Sequence, residues 1–286
     1  MQARRVEIPY FPRDAFKPYH ANTKRNSLTI AHRRAGKTVA RLNRIIKAAV
    51  TGPKDGRYGY LAPTYVQAKD IAWGYLKHYT APLLEHGGTK NEAELSVTLP
   101  GNQIIRLYGA ENYDRMRGLY FHGVALDEAQ DIPPVALTQV ILPALADRGG
   151  WLDAAGTPKG RAGLLYQLRQ MALADPDNWF YQELRASETG ILPQPELDRL
   201  KQLMPDNEYL QEMECSFDAA LTGAYYAKEL NNAETEGRIS AVPWEPVLPV
   251  NTAWDLGMAD STSIVFWQQT RGGEIRVIDY YEASGQ

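Results

Sequence analysis

The chain has 286 residues, enough for one large domain or two ordinary ones. Hydrophobic residues make up 44%, charged residues 23% and the net charge is −3, which excludes wholesale disorder and a surface that holds nucleic acid by positive charge alone. The single Cys215 excludes an internal disulfide and CxxC-type zinc sites, and neither a signal peptide nor an apolar run of ~18 residues is present, so the sequence reads as a cytoplasmic soluble protein with no membrane partner.

Residues 1–26, punctuated by Pro9, Pro12 and Pro18, read as an irregular arm. Ser27–Ala31 (SLTIA) reads as a short buried strand that runs into HRRAGKT. A helix follows, with Val39, Leu42, Ile46 and Val50 near helical spacing and a stop at Thr51-Gly52-Pro53. Tyr58–Ala62 is a second strand, and a helix after Pro63-Thr64 runs to about Tyr79. Strands at Leu95–Leu99 and Gln103–Leu107 flank the hairpin signal Pro100-Gly101-Asn102. The apolar run Gly123–Leu126 ends in Asp127-Glu128, and Pro133-Pro134 opens another helix. Trp151–Ala155 is a strand ending at Gly156-Thr157-Pro158; a helix near 161–173 and a strand at Trp179–Leu184 follow. Strands alternating with helical patterns predict a mostly parallel α/β sheet with flanking helices. A helix runs from Pro205 to about Phe217. Residues 231–250 carry three prolines and read as a linker between a domain at 1–230 and a unit at 251–286, where strands run from Asn251 to Trp267 around a turn and from Ile275 to Tyr281. That second unit is too short for an independent α/β domain and reads as truncated.

Strand, then Ala31-His32-Arg33-Arg34-Ala35-Gly36-Lys37-Thr38, then helix is the setting of a phosphate-binding P-loop, although Ala31 stands where the usual pattern has Gly. Backbone N–H groups of such a loop wrap a phosphate, Gly36 allows close approach, Lys37 sets a cation between the β- and γ-phosphates, and Thr38 offers a hydroxyl to Mg²⁺. Asp127 at the end of an apolar strand would complete the Mg²⁺ shell, and Glu128 would orient or deprotonate the attacking water. The bland alternative for the two acids is a helix N-terminus that favours negative charge. Thr157 is placed to feel a γ-phosphate, and a plain Gly-Thr-Pro turn explains it equally well. Arg33 and Arg34 lie in the loop; Arg115 and Arg117 precede the acid strand, and either pair could supply an arginine finger, worth ~10³–10⁵ in rate elsewhere. Plain surface charge explains Arg115 and Arg117 at least as well.

Together HRRAGKT, APTYVQAKD at 62–70, Arg117-Gly118, VALDEAQD at 124–131 and AGTPKG at 155–160 resemble the large subunit of tailed-phage DNA-packaging terminases, over most of the first 220 residues. The resemblance implies a P-loop NTPase of the RecA/ASCE-like class. It implies an ATP- and Mg²⁺-dependent motor that moves double-stranded DNA into a procapsid in the host cytoplasm of an infected bacterium, and that is not itself a virion component. Its implied partners are the portal protein, a small terminase subunit and further copies in a ring, commonly five-fold. Lys37 and Thr38 would serve phosphate and metal, Asp127 and Glu128 metal and water; Arg33 would be the loop arginine and Thr157 the coupling residue. The family's use of the N-terminal arm to bind adenine makes Tyr10, Phe11 and Arg13 candidates.

TAWDLGMADSTSIVFW at 252–267 resembles the first hairpin of the family's ribonuclease-H-like nuclease domain. Asp255 and Asp260 would then be metal ligands for Mg²⁺ or Mn²⁺, with Glu282 another candidate acid; two-metal cleavage needs several carboxylates around two ions. A turn explains Asp255 and Asp260 otherwise. Two further readings stand beside the motor: a P-loop helicase or remodelling ATPase, disfavoured because no second similar domain follows residue 200, and an inactive fragment, opposed by the intact Lys37, Thr38, Asp127 and Glu128.

Overall fold

The computed structural model describes residues 6–218, 227–256 and 262–283. The chain divides into two compact units, Met1–Ala224 and Tyr225–Gln286.

The first unit begins with a 3₁₀ turn, Asp14–Phe16, and helix α1 (Lys17–Ala21), with Pro18 in the first turn, where its missing N–H costs nothing. Residues 14–21 of the expected irregular arm are therefore helical, because Phe16 and Tyr19 are buried apolar anchors. Strand β1 (Asn26–Ala31) leads into the loop and helix α2 (Lys37–Thr51), and β2 (Arg57–Ala62) follows. Next come α3 (Tyr65–Gln67), a π-helical turn (Ala68–Trp73) and α4 (Gly74–Leu84); Thr64 caps this run with a reciprocal Gln67 bond. Strands β3 (Thr89–Asn91), β4 (Ser96–Thr98) and β5 (Ile104–Gly109) precede a 3₁₀ segment, Ala110–Met116. Strand β6 (Gly123–Leu126) is followed by a 3₁₀ turn (Ala129–Asp131), then α5 (Pro134–Ala136) and α6 (Leu142–Ala146) with a π-helical turn between them. Strand β7 (Trp151–Gly156), α7 (Leu164–Ala174) and β8 (Trp179–Leu184) complete the sheet; α8 (Ala186–Thr189), α9 (Gln194–Leu203) and α10 (Asp206–Glu212) follow it.

The sheet has eight strands in the order β3-β4-β5-β2-β6-β7-β1-β8. All neighbours from β5 to β8 pair in parallel; β4–β5 pair antiparallel, as the Pro-Gly-Asn hairpin predicts, and β3 adds to β4 antiparallel. One strand, β7, separates β1 from β6. Side chains alternate between two covered faces, which is why β1, β2 and β6 read as near-continuous apolar runs. Leu28, Ile30, Leu61, Val124, Leu126 and Leu152 form one core with α7 and residues 129–145. Tyr58, Tyr60, Ala125 and Leu107 form the other, with α2 and α4. Within α2 the buried stripe is Leu42, Ile45, Ile46 and Ala49, which includes the expected Leu42 and Ile46, whereas Val50 at its end is exposed. The helix after Pro205 ends at Glu212, short of Phe217, and Cys215 takes a left-handed backbone (φ 59).

In the second unit α11 (Ala227–Thr235) occupies the first residues of the expected linker. Strands β9 (Val250–Asp255), β10 (Thr262–Gln269) and β11 (Ile275–Ala283) form an antiparallel sheet in the order β11-β10-β9. The buried Gln268 amide bonds Glu245 and Leu248, fastening the Pro-rich segment to β10. Trp254, Val277, Tyr280 and Tyr281 remain exposed. Among the described residues no helix is long and apolar enough to cross a membrane.

Candidate nucleotide site

The loops that leave β1, β6 and β7 at their carboxyl ends carry the P-loop, Asp127-Glu128 and Thr157, the edge of a parallel sheet where ligands bind. In the first loop Gly36 (φ 105) and Arg34 (φ 66) take left-handed backbone, and α2 starts at Lys37. Ala31 belongs to β1, pairs in parallel with Leu184, and its side chain is buried beside Phe16, Tyr19, Ala35 and Ala40.

Lys37 is buried, and its ammonium donates to the carbonyls of Ala31 (3.1 Å) and His32 (3.3 Å) and to Thr157 Oγ1 (3.0 Å). Burial holds its pKa below the usual lysine value, against the opposing pull of Glu128 and Asp127. Thr157 Oγ1 also donates to the Ala31 carbonyl (3.0 Å), so β7 and the P-loop are joined through one hydroxyl.

Thr38 and Tyr60 both donate to Asp127 Oδ2, each at 2.5 Å. The other oxygen, Oδ1, is buried without a hydrogen-bond partner. An orphaned carboxylate oxygen beside a threonine hydroxyl is an all-oxygen donor set of the kind Mg²⁺ takes alongside substrate phosphates. Glu128 has a left-handed backbone (φ 50, ψ 49), a costly conformation for a side-chain-bearing residue. Its Oε2 accepts from Gln130 Nε2 (2.7 Å). Glu128, Gln130, Thr157 and Arg33 line one small cleft of about 90 Å³.

Arg33 pairs with Glu212 at 2.6 Å, and its backbone N–H bonds the Glu212 carbonyl, so α10 touches the P-loop. The side-chain hydrogen bond to Glu212 raises the Arg33 pKa further. The buried His32 ring bonds the Arg33 carbonyl (2.6 Å) and Thr189 Oγ1 (3.0 Å); the carbonyl can only accept, so Nδ1 carries the proton. Arg13 reaches the loop from the arm, donating to the carbonyls of Arg34 (3.0 Å) and Ala35 (2.9 Å).

Other expected residues lie elsewhere. Tyr10 packs on His20 and Tyr79 and bonds His20 at 2.8 Å; burial pushes its phenol up to about 12, and the ring faces α4 rather than the loop. Phe11, by contrast, is 85% exposed. Arg117 is exposed, and its bonds go to Asp114 (2.8 Å) and Gln139 (2.9 Å) rather than to the P-loop or the paired acids. In the second unit Asp255 ends β9 opposite Ser263, which in turn faces Glu282 across β10 and β11, so the three share one face. Asp260 lies outside the described residues. Among the described residues no cluster of three or more His, Cys, Asp or Glu could hold a metal ion.

Three contributors carry no sequence signal of their own: Tyr60 in an apolar strand, Glu212 179 positions after Arg33, and Gln130 inside VALDEAQD.

No family model matches the sequence, and no curated protein does. Among solved structures the chain is similar to the large terminase ATPase domain of Thermus phage P74-26, at 20% identity and a TM-score of 0.63, covering 73% of this chain and 95% of that one. It is similar to the large terminase of a thermophilic bacteriophage in complex with ATP-gamma-S, at 17% identity and a TM-score of 0.55, covering 91% of this chain and 63% of that one. It is also similar to the HK97 bacteriophage large terminase, at 14% identity and a TM-score of 0.61, covering 92% and 60%. The fold is that of phage large terminase ATPase domains. The chain spans less than two thirds of the ATP-gamma-S-bound terminase and of the HK97 protein.

Proposed function

We propose that this chain is the ATP-hydrolysing part of a viral DNA-packaging motor. The observation that carries the reading is the convergence of Lys37, Thr38, Asp127, Glu128 and Thr157 at the carboxyl ends of three parallel strands in a terminase ATPase fold. The strand between β1 and β6 supports the RecA/ASCE-like class.

Lys37 leaves the Ala31 and His32 carbonyls to neutralise the β- and γ-phosphates of ATP. Thr38 and Asp127 would hold Mg²⁺, which when bound supplies charge neutralisation at the phosphate oxygens. Glu128 orients a water in line with the γ-phosphorus and takes a proton from it at a carboxylate oxygen. The water oxygen bonds the γ-phosphorus to give inorganic phosphate, the bond from that phosphorus to the bridging oxygen breaks, and ADP leaves with the electron pair. Thr157, freed by the departure of Lys37, is placed to sense the γ-phosphate. Arg33 either turns from Glu212 to the phosphate or leaves that role to an Arg117 from a neighbouring subunit. Phe11, exposed two residues before Arg13, offers adenine a face.

ATP turnover by the chain, beside Lys37→Ala and Glu128→Gln, tests the reading over a range of protein concentrations. Lys37→Ala should lose binding and turnover. Glu128→Gln should keep ATP bound but lose turnover by ~10²-fold or more. Turnover that rises with concentration and is lost in Arg117→Ala supports a ring with a finger in trans. Equal turnover by wild type, Lys37→Ala and Glu128→Gln overturns the reading.

Translocation of double-stranded DNA, docking on a portal, pairing with a small subunit and a five-fold ring are part of the same proposal. The facing of Asp255 and Glu282 across Ser263 supports the start of a ribonuclease-H-like nuclease, with Asp260 as a further acid. Binding of Mn²⁺ by the chain that Asp255→Asn weakens is its test.

A further inference from the structure

Glu128 does not stand alone at the end of β6. Its left-handed backbone starts a tight turn in which the Asp131 N–H bonds the Glu128 carbonyl at 3.0 Å. The turn brings the side chain of Gln130 back beside the Glu128 carboxylate. Gln130 Nε2 donates to Glu128 Oε2 at 2.7 Å and, more distantly, to Asp131 Oδ2 at 3.4 Å. The amide orientation follows from this: reversed, Gln130 would set its own carbonyl oxygen against an anion.

The other end of the amide rests on β7. Gln130 Oε1 is buried without a hydrogen-bond partner. It lies where a side chain of Gly156 would begin: a Cβ there would be 2.1 Å from Oε1, and 3.0 Å from Leu165 Cδ2. Gly156 does not have a positive φ, so the absence of a side chain serves space rather than backbone freedom. The next residue is Thr157, hydrogen-bonded to Lys37 Nζ. A continuous line therefore runs from Lys37 through Thr157 and Gly156 to the Gln130 amide and on to the Glu128 carboxylate.

We propose that Gln130 is a positioning residue, which holds the Glu128 carboxylate in line for hydrolysis and ties its placement to the end of β7. The inference rests on Glu128 as the water-orienting residue. When Lys37 leaves Thr157 for phosphate, β7 at Gly156 is free to shift, and the amide packed on it carries that shift to Glu128. The orphaned Oε1 has the same meaning: the amide is kept, at the cost of a lone buried acceptor, for what its nitrogen does at Glu128.

Single-turnover hydrolysis with the full chain in excess over ATP, alongside binding of a fluorescent ATP analogue, tests this. Gln130→Met fills the same volume without a donor. It should slow hydrolysis of bound ATP about 10–100-fold, the scale of small misplacements, while affinity for the analogue stays within about threefold. Gly156→Ala should slow it similarly by driving the amide off Glu128. Gly156→Ala with Gln130→Ala should hydrolyse no more slowly than Gln130→Ala alone, because the amide that clashes at 2.1 Å is gone and the Leu165 side-chain end at 3.0 Å can turn aside. In a Glu128→Gln background Gln130→Met should have no further effect. Gln130→Asn, too short to reach both partners, repeats the first test should Gln130→Met not fold. Wild-type hydrolysis in a folded Gln130→Met or Gln130→Asn, or multiplicative loss in the Gly156→Ala, Gln130→Ala double variant, overturns the inference and leaves the ATPase reading intact. Wild-type hydrolysis in Glu128→Gln overturns both.

Discussion

Beneath the P-loop, three fully buried side chains from three elements make a charged cluster: Tyr19 of α1, Arg41 of α2 and Asp153 of β7. Tyr19 donates to Asp153 Oδ2, and Arg41 Nη2 lies 3.6 Å from Oδ1 while bonding the Ala154 carbonyl. Arg41 Nε and Asp153 Oδ1 have no hydrogen-bond partner, so the pair is imperfectly compensated. Removing one member strands the other. Arg41→Met should therefore cost about 3–5 kcal/mol, and Asp153→Leu a similar amount. Tyr19→Phe removes one hydrogen bond to a charged acceptor and should cost about 1.5–3 kcal/mol. The double variant Arg41→Met, Asp153→Leu removes both charges and should be far less destabilised than the sum of its parts, by several kcal/mol. Urea unfolding of the full chain followed by tryptophan fluorescence measures this, since Trp151 lies on β7 two residues from Asp153. Additive losses in the double variant, or a loss under about 1 kcal/mol in Arg41→Met, would refute the reasoning.

His20 is held down to about 4, chiefly by burial and then by Arg44 and Lys47. Its folded pKa lies below the unfolded value of 6.5, so the unfolded chain binds the extra proton and stability falls as pH drops from about 6.5 to 4. The slope cannot exceed about 1.4 kcal/mol per pH unit and is reduced by solvent at this partly exposed ring. His20→Gln should flatten urea midpoints over that window; His32, also lowered by burial, adds a slope of the same sign. Burial raises the Cys215 thiol to about 12, so at pH 8 it should resist a thiol reagent in the native state and react once the chain is unfolded in urea. Gly36→Ala would meet Arg13 only at ordinary contact distance, 3.7 Å, so its cost is backbone strain at φ 105, about 1–2 kcal/mol, read as a lower urea midpoint together with weaker binding of an ATP analogue.

The strand-loop-helix around HRRAGKT and the strand-turn that carries Asp127 and Glu128 were legible because each is a short run whose pattern lies within one local unit. The parallel sheet was legible from alternating strand and helix patterns. What escaped depends on contacts across tens of residues. Tyr60 reads as one apolar strand residue until β2 is set beside β6 and its hydroxyl meets Asp127. Arg41 looks like the polar face of a helix, and its burial follows from Asp153 on β7. Tyr10 shares the arm with Arg13, yet His20 and Tyr79 draw its ring away from the loop that Arg13 holds. Ala31 shows the opposite case, a departure from pattern at which the fold asks for no glycine. Left-handed backbone in the loop falls at Arg34 and Gly36, whereas Ala31 is an ordinary strand residue. Its contribution is a carbonyl, which accepts from both Lys37 and Thr157, and any residue supplies that group. Its methyl group fills space beside Phe16 and Tyr19 that glycine would leave empty. At this position, then, alanine packs the arm against the loop while supplying the same carbonyl that any residue would.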